Sequence, residues 1–242
     1  MNVLEMISPL VKNVPPSGIR KYFDMINEMD NVISLGIGEP DFVTPWNIRE
    51  AGIYSLEKGH THYTPNSGYM ELREEISKYI YKKTGVEYNP KNEIIVTVGG
   101  SESIDISCRA LVGPGDEVII PEPSFVAYKP CAIFTGATPV IINLRAEDQF
   151  RLTPELLENA ITPRTKLLIL PYPNNPTGAI MRKEDLAKIA EVLRDKDIIV
   201  ISDEIYSELT YEGEHISIAS FPGMKEKTLL INGFSKAFAM TG

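Results

Sequence analysis

From about residue 90 onward, short apolar runs alternate with longer segments in which apolar residues recur at helical spacing. The apolar runs predict strands at residues 94–98, 117–121, 139–144, 166–170, 198–202 and 228–232. The segments between them predict helices at residues 101–111, 125–134, 153–160 and 183–193. Because such alternation is typical of crossover connections, we predict an α/β fold with a largely parallel sheet. Helices would cover both faces, and ligands would bind at the carboxyl ends of the strands.

The chain before residue 90 has a different pattern. Turn-forming residues cluster at 15–18 and 36–41, and an amphipathic helix is predicted at 71–83, ending at Gly85. We therefore assign residues 1–45 to an N-terminal arm and the N-terminal part of a smaller domain. Residues 46–242 form the predicted large domain.

Composition narrows the possible functions. The 242 residues are 43% hydrophobic, enough to fill a sizeable core, and the formal net charge of −9 argues against nucleic acid as a partner. No apolar run approaches the roughly 18 to 20 residues that span a bilayer, and the N-terminus lacks the pattern of a signal peptide. We expect a cytoplasmic protein with no membrane partner.

The cysteines and histidines indicate neither a disulfide nor a metal site. Cys108 and Cys131 lie in apolar segments that are predicted to be helical, so we expect two buried thiols. His60 and His62 have the wrong spacing for two ligands on one helical face, and His215 lies in a polar stretch. We expect no metal.

Two glycine-containing segments suggest anion binding to different degrees. The first predicted strand is followed by a glycine pair, Gly99 and Gly100, which leads directly into the helix that begins with Ser101 and Glu102. The free backbone amides at the start of a helix can hold an anion. A tight strand-to-helix turn explains the same residues and is compatible with that role. Gly36 and Gly38 lack the third glycine and the strand–helix setting of a dinucleotide loop, so we set NAD aside.

Polar side chains follow two later strands. Asn175 lies in a proline-rich loop after the fourth strand, and Asp203 directly follows the fifth. A buried acid is costly unless it has a cationic partner, and a protonated pyridine nitrogen is such a partner. Tyr206 could donate to the phenolate oxygen of the same ring. The alternative is a helix N-cap at Asp203 with a core tyrosine.

An aromatic and an amine complete the candidate chemistry. Phe125 follows the second strand and offers a face for stacking a flat ring, although a core phenylalanine is the simpler interpretation. Lys236 lies in a small-residue loop just after the last strand. A lysine there can form a Schiff base with a carbonyl, for which pyridoxal phosphate is the commonest reason, but most lysines are solvated surface charges.

Short motifs in a fixed order extend this picture over nearly the whole chain. They are Gly38-Glu39-Pro40-Asp41-Phe42-x-Thr44-Pro45, Tyr63-Thr64-Pro65-x-x-Gly68, Gly113-Pro114-Gly115-Asp116-Glu117-Val118, Asn175-Pro176-Thr177-Gly178, Ser202-Asp203-Glu204-Ile205-Tyr206 and Ser235-Lys236-x-x-x-Met240-Thr241-Gly242. Together they resemble the class I/II aminotransferases, fold-type I enzymes that use pyridoxal phosphate. The resemblance implies a three-layer α/β/α large domain that binds the cofactor.

The resemblance also implies roles for single residues. Lys236 matches the lysine that holds the cofactor covalently and moves a proton at the substrate α-carbon. Asp203 matches the partner of the pyridinium nitrogen, Asn175 and Tyr206 match the groups that bind the ring oxygen, and Phe125 matches the stacking aromatic.

The remaining matches concern the phosphate, the substrate and the partner subunit. The residues that match phosphate ligands are Gly100, Ser101, Glu102 and Ser235. Gly38 and Asn175 match positions near the substrate. Tyr63 matches a tyrosine that reaches the phosphate of the neighbouring subunit, which implies a homodimer with a shared active site.

The resemblance stops at Gly242. In relatives, the Met-Thr-Gly segment is followed by a further strand of the large sheet and a C-terminal small domain. We therefore expect a truncated chain, with a gap inside the sheet between the first and last predicted strands.

Three functions remain possible from the sequence. The leading one is transfer of an amino group from an amino acid to a 2-oxo acid by a ping-pong mechanism. The second is a carbon–sulfur β-lyase of the same fold. The third is a catalytically incomplete, truncated relative that acts as a binding or regulatory module.

Overall fold

The computed structural model describes residues 3–16, 18 and 38–242. Residues 19–37 of the predicted arm, which include Gly36, lie outside the described residues. The helices are α1 (Pro9–Lys12), α2 (Trp46–Glu57), α3 (Met70–Thr84), α4 (Gly99–Leu111), α5 (Tyr128–Phe134), α6 (Pro154–Ala160), α7 (Lys183–Leu193) and α8 (Phe234–Ala237). Within these ranges, we find no helix with both the length and the apolar character needed to cross a membrane.

The strands form a five-stranded sheet in the order β2-β1-β3-β4-β5, and every neighbouring pair is parallel. They are β1 (Glu117–Glu122), β2 (Thr138–Asn143), β3 (Thr165–Pro171), β4 (Ile199–Asp203) and β5 (Thr228–Ile231). Pro171 pairs with Asp203, which in turn pairs with Ile231, so β3, β4 and β5 end at the same level. The predicted parallel sheet, with its carboxyl ends at one edge, is confirmed.

Both faces of the sheet are covered, as predicted. On β3, Leu168 and Leu170 face one core, which α6 and α7 complete. The alternate residues Leu167 and Ile169 face a second core, to which α4 and α5 contribute. Successive side chains of a strand point to opposite faces, so a strand that is buried on both faces needs a continuous run of apolar residues.

Local start and stop signals fix the ends of two helices, and the stop at Gly85 is where the sequence predicts it. The Thr153 hydroxyl accepts from the amide of Leu156 at 3.3 Å, and Pro154 is the first residue of α6. Gly85 ends α3 in the left-handed region, with φ 73°. Thr153 and Pro154 fix where α6 begins, and Gly85 fixes where α3 ends and the following loop begins.

The predicted strand at residues 94–98 is wrong. These residues lie outside any ladder, and Ile95 and Val98 are 58% and 89% exposed. A strand needs a neighbour that accepts and donates backbone hydrogen bonds, and residues 94–97 instead line a groove of about 1140 Å³ whose opposite wall is β5. Because residues 94–98 do not pair with another strand, β5 is the edge strand of the described sheet.

The two cysteines are buried and free, as expected. They lie on the neighbouring helices α4 and α5. Burial raises the pKa of the Cys108 thiol to about 12 and that of Cys131 to about 11, so both remain protonated and unreactive near neutral pH.

Candidate active site

Four of the predicted site residues lie at the carboxyl edge of β3, β4 and β5. Asn175 lies in the loop after β3, Asp203 is the last residue of β4, Tyr206 follows it in a turn, and Lys236 lies on α8 directly after β5. Parallel strands carry these residues to one edge because all of them run in the same direction. The four side chains are separated by up to 61 residues in sequence (236 − 175).

Asp203 is a buried carboxylate without a cationic partner among the described residues. The residue is 6% exposed, and its Oδ2 and Oδ1 accept from the Tyr128 hydroxyl at 2.7 Å and the Ile205 amide at 3.2 Å. Burial raises its pKa above the usual range, while these two hydrogen bonds act in the opposite direction. Two neutral donors compensate only part of the cost of burying a charge, so the position suits a bound cation.

No helix begins at Asp203, so the interpretation as a helix N-cap is not supported. Its carboxylate instead closes a short turn by accepting from the Ile205 amide, two residues on. The turn leads into a 3₁₀ helix at Ser207–Leu209. Tyr206 is thereby carried out of the core to the same edge.

Tyr128 is a site residue that the sequence analysis missed. It lies on α5, is 3% exposed, and donates to Asp203 across 75 positions of sequence. Burial, followed by the charge of Asp203, raises the pKa of its phenol, so the hydroxyl keeps its proton for this bond. In sequence it is an aromatic in an apolar helix, which indicates only a core position.

Tyr206 and Asn175 share a hydrogen bond. The Asn175 Nδ2 donates to the Tyr206 hydroxyl oxygen at 3.3 Å, and burial raises the pKa of this tyrosine while Asn175 lowers it. Because the oxygen already accepts, the hydroxyl hydrogen is free to point toward a ligand. Both groups can therefore donate to one acceptor oxygen.

The loop that carries Asn175 is held by its neighbour. Asn174 is buried, and its Oδ1 accepts from the amide and the hydroxyl of Thr177 at 3.2 and 2.9 Å. Its Nδ2 donates to the Pro123 carbonyl at 3.2 Å, which ties the loop to the end of β1. Asn174 thus fixes the loop, and Asn175 is left to face the site.

Lys236 lies beside Tyr206 and the N-terminal segment. Its Nζ is 5.6 Å from the centroid of the Tyr206 ring and donates to the Gly38 carbonyl. Thr241 donates to Glu39 at 3.2 Å, so residues just after Gly38 also lie against the end of the described chain. The structure therefore places Gly38 beside Lys236, a contact that the sequence analysis did not predict.

The start of α4 forms the candidate anion site. Gly99 has φ +75°, and the first amides of a helix have no partner within it. A Cβ on Gly100 would lie 3.7 Å from Ile231, so this turn borders the end of β5. Ser101 is exposed there, and Gly100 and Ser235 line the same groove.

Glu102 has a different local role from that of an anion ligand. Its carboxylate accepts from the Val98 amide and so caps the loop before α4. A carboxylate repels a phosphate, so only the backbone amide of Glu102 can contribute to an anion site.

Phe125 and Tyr63 differ in how they relate to the site. The Phe125 ring packs edge-on against Tyr128, with centroids 5.7 Å apart and planes at 78°, and therefore lies next to Asp203. It also packs against the second core while keeping part of its surface exposed. Tyr63 is fully exposed and makes no hydrogen bond among the described residues, so the structure does not bring it to this site.

The donor set fits a flat, anionic cofactor with a basic ring nitrogen. The site contains a buried acid, two donors for one oxygen, an amine and the start of a helix. A metal site is not: in the part of the chain that the structure describes, no three His, Cys, Asp or Glu residues are placed to hold an ion. Pyridoxal phosphate has the groups that these side chains would bind.

Comparison with known proteins agrees with this arrangement. The sheet and its flanking helices have the fold-type I arrangement of α/β proteins. The chain belongs to the family Aminotransferase class I and II, whose model matches residues 30–242.

Individual relatives cover nearly all of this chain. The putative aminotransferase YugH of Bacillus subtilis is 54% identical over 98% of the chain and 61% of its own length. The aromatic-amino-acid aminotransferase 2 of Thermococcus litoralis is 45% identical over 98% of the chain and 61% of its own length. The chain therefore spans about 60% of the length of these curated relatives.

Solved structures give the same result. The crystal structure of Pyrococcus protein-A1 superposes with a TM-score of 0.93 at 47% identity, over 96% of this chain and 60% of that one. Aspartate aminotransferase from Thermus thermophilus with maleate superposes with a TM-score of 0.92 at 40% identity, over 98% and 62%. The named relatives are aminotransferases, so the carbon–sulfur lyase interpretation is not favoured.

Proposed function

We propose that the full-length protein is a pyridoxal-phosphate-dependent aminotransferase that moves an amino group from an amino acid to a 2-oxo acid. The observation that carries this proposal is the buried Asp203 carboxylate, which has no cation among the described residues and lies at the same edge as Lys236. Bound pyridoxal phosphate supplies a carbonyl for the amine and a ring that delocalises the electron pair released at the substrate α-carbon.

Lys236 and the side chains around it have separate roles in binding the cofactor and in moving the proton. Asp203 holds a proton on the ring nitrogen, because a buried carboxylate is stabilised by an adjacent positive charge. The Tyr206 hydroxyl and the Asn175 amide donate to the ring oxygen. The Lys236 amine attaches the cofactor and later moves the proton at the substrate α-carbon.

The start of α4 supplies the proposed phosphate site. The amides of Gly100, Ser101 and Glu102 and the hydroxyls of Ser101 and Ser235 are donors for phosphate oxygens, and the helix dipole favours an anion there. This local site is needed because the net charge of −9 otherwise repels a phosphate.

We also propose a homodimer in which Tyr63 reaches the phosphate of the partner subunit. Supporting this, α2 buries none of its twelve residues. Large apolar side chains are exposed along the same segment: Phe42, Val43, Trp46, Ile53, Tyr54, Leu56 and Tyr63. Exposed apolar surface of this kind marks an interaction site. A cytoplasmic location and the division into residues 1–45 and 46–242 remain predictions from the sequence.

The test of the function is covalent trapping. The full-length protein is incubated with pyridoxal phosphate, reduced with borohydride and mapped by peptide mass. We expect label on Lys236 alone, whereas label on any other lysine would contradict the assignment. A panel of amino donors with 2-oxoglutarate and pyruvate then identifies the substrates.

The same test includes two lysine variants. Lys236→Ala should reduce turnover by at least about 10²–10⁴-fold, because the proton-transferring amine is lost, while cofactor still binds at the start of α4. Lys188→Ala, at an exposed position of α7, should retain wild-type turnover. A wild-type protein that binds cofactor but has no turnover with any donor would favour the binding or regulatory module.

A further inference from the structure

A buried polar cluster lies next to Asp203. We define the Glu204 cluster as Glu204, Ser202, His215 and Ser217. Glu204 is 2% exposed, and its Oε1 accepts from the Ser202 and Ser217 hydroxyls at 2.8 and 2.6 Å. Its Oε2 is 2.7 Å from the Nε2 of His215. The carboxylate is therefore satisfied by three side chains from two segments of the chain.

The cluster lies on the other side of the backbone from Asp203. Successive side chains of a strand point to opposite faces, so Ser202 and Glu204 share a face that Asp203 does not. The amide of Glu204 donates to the Ile231 carbonyl at 2.8 Å, which continues the ladder between β4 and β5 past Asp203. The backbone is thus held on both sides of the Asp203 carboxylate.

We propose that Glu204 is a positioning residue for Asp203, holding the end of β4 so that the Asp203 carboxylate and a second negative charge stabilise a protonated heteroaromatic nitrogen. This inference rests on the proposed function. Glu204 touches neither substrate nor cofactor and acts only through its neighbour.

Charge and packing support this role. The negative charge of Glu204 contributes to the raised pKa of Asp203, after the larger effect of burial. The same charge that favours a proton on Asp203 also favours a cation beside it. Ser217 and His215 lie in the segment just before the 3₁₀ helix Ile218–Ser220, whose Ile218 is buried in the first core, so the donors are held by packing.

The test compares two ligands that differ at one atom. Dissociation constants from the apoprotein are measured for pyridoxal phosphate and for its analogue with carbon in place of the ring nitrogen. Wild type should prefer pyridoxal phosphate, because only that ligand pairs with Asp203. Glu204→Gln should reduce this preference by about tenfold, because it removes a nearby negative charge that favours the protonated ring nitrogen beside Asp203.

The matched control is Glu117→Gln. Glu117 is also a buried carboxylate, held by Thr162 and Arg164, but it lies at the opposite end of the sheet. It should retain the full wild-type preference even if its stability falls. Ser217→Ala keeps the charge of Glu204 and removes one of its hydrogen-bond donors, so it should reduce the preference by a smaller factor. This variant replaces Glu204→Gln in the test if Glu204→Gln does not fold.

The outcomes separate this inference from the proposed function. A wild-type protein that binds neither ligand, or both equally, would refute the proposed function. A wild-type preference that persists in Glu204→Gln, or in Ser217→Ala when Glu204→Gln does not fold, would overturn the role of Glu204 alone. Equal weakening of both ligands would also overturn it, because a purely structural defect does not depend on the ring nitrogen.

Discussion

Burial of the charged Asp203 carboxylate destabilises the apoprotein, and this effect on the free energy of unfolding should depend on pH. Burial raises its pKa above the ordinary value of 3.8, so between 3.8 and the raised value the folded protein binds the proton more tightly than the unfolded chain. The free energy of unfolding therefore loses this contribution as pH rises through that window. Asp203→Asn has no charge to desolvate and should not show this loss.

The measurement is urea unfolding of both apoproteins over a series of pH values. The difference in unfolding free energy, Asp203→Asn minus wild type, should increase as pH rises above 3.8 and then level off. Glu208→Gln, which removes an exposed carboxylate paired with Lys83, is the control and should change stability with the opposite sign, because its pKa is lowered. A difference for Asp203→Asn that is independent of pH would contradict the assignment of a buried charge.

The sequence predicts a site residue best when the residue type and its position at a strand end are enough to indicate its role. Lys236, Asp203, Tyr206 and Asn175 are placed by strand ends, and the structure brings them to one edge. Tyr128 could not be predicted, because its hydrogen bond to Asp203 depends on how α5 packs against the sheet. The local pattern shows only an apolar helix.

At the scale of elements, burial decides which strands could be predicted. The strands β1, β3 and β4 are buried on both faces, so their apolar runs are unambiguous. Residues 94–98 have a similar run, yet they form no strand, because a ladder requires a neighbour and the groove beside β5 lies there instead. A single sequence contains the propensity of a strand but not its partner.

The helix α4 allows a matched pair of glycine substitutions. Gly99 has φ +75°, a region that costs an L-residue about 1–2 kcal/mol. Gly100 lies outside that region, and its added Cβ would make ordinary contact with Ile231 at 3.7 Å. Gly99→Ala should therefore destabilise the apoprotein by about 1–2 kcal/mol, whereas Gly100→Ala should change stability by less than about 1 kcal/mol. Urea unfolding measures both, and equal losses would show that the left-handed turn is not what glycine provides.

At the scale of the whole molecule, one predicted site residue remains apart. Tyr63 is fully exposed and makes no hydrogen bond among the described residues, while Asn175, Asp203, Tyr206 and Lys236 lie at one edge of the sheet. The proposed dimer explains both this exposure and the apolar surface of α2, since a partner subunit would cover them.

Hybrid dimers test the shared site directly. One subunit carries Lys236→Ala and the other carries Tyr63→Phe, with different affinity tags so that the hybrid can be purified. Tyr63→Phe should weaken cofactor binding by about 10–100-fold, because one hydrogen bond to a charged group is lost. At low cofactor concentration neither parent is active, since one lacks the amine and the other is not loaded.

If Tyr63 acts across the interface, the hybrid has one intact site, made of Lys236 from one subunit and Tyr63 from the other. It should then show about half of the wild-type turnover at low cofactor concentration. If Tyr63 acts within its own subunit, the site that keeps Lys236 also carries the Phe substitution, and the hybrid should need the same high cofactor concentration as the Tyr63→Phe parent. Tyr81→Phe, an exposed position on α3, is the control and should leave cofactor affinity unchanged. Activity of the hybrid at low cofactor concentration therefore requires both a dimer and a residue supplied across it.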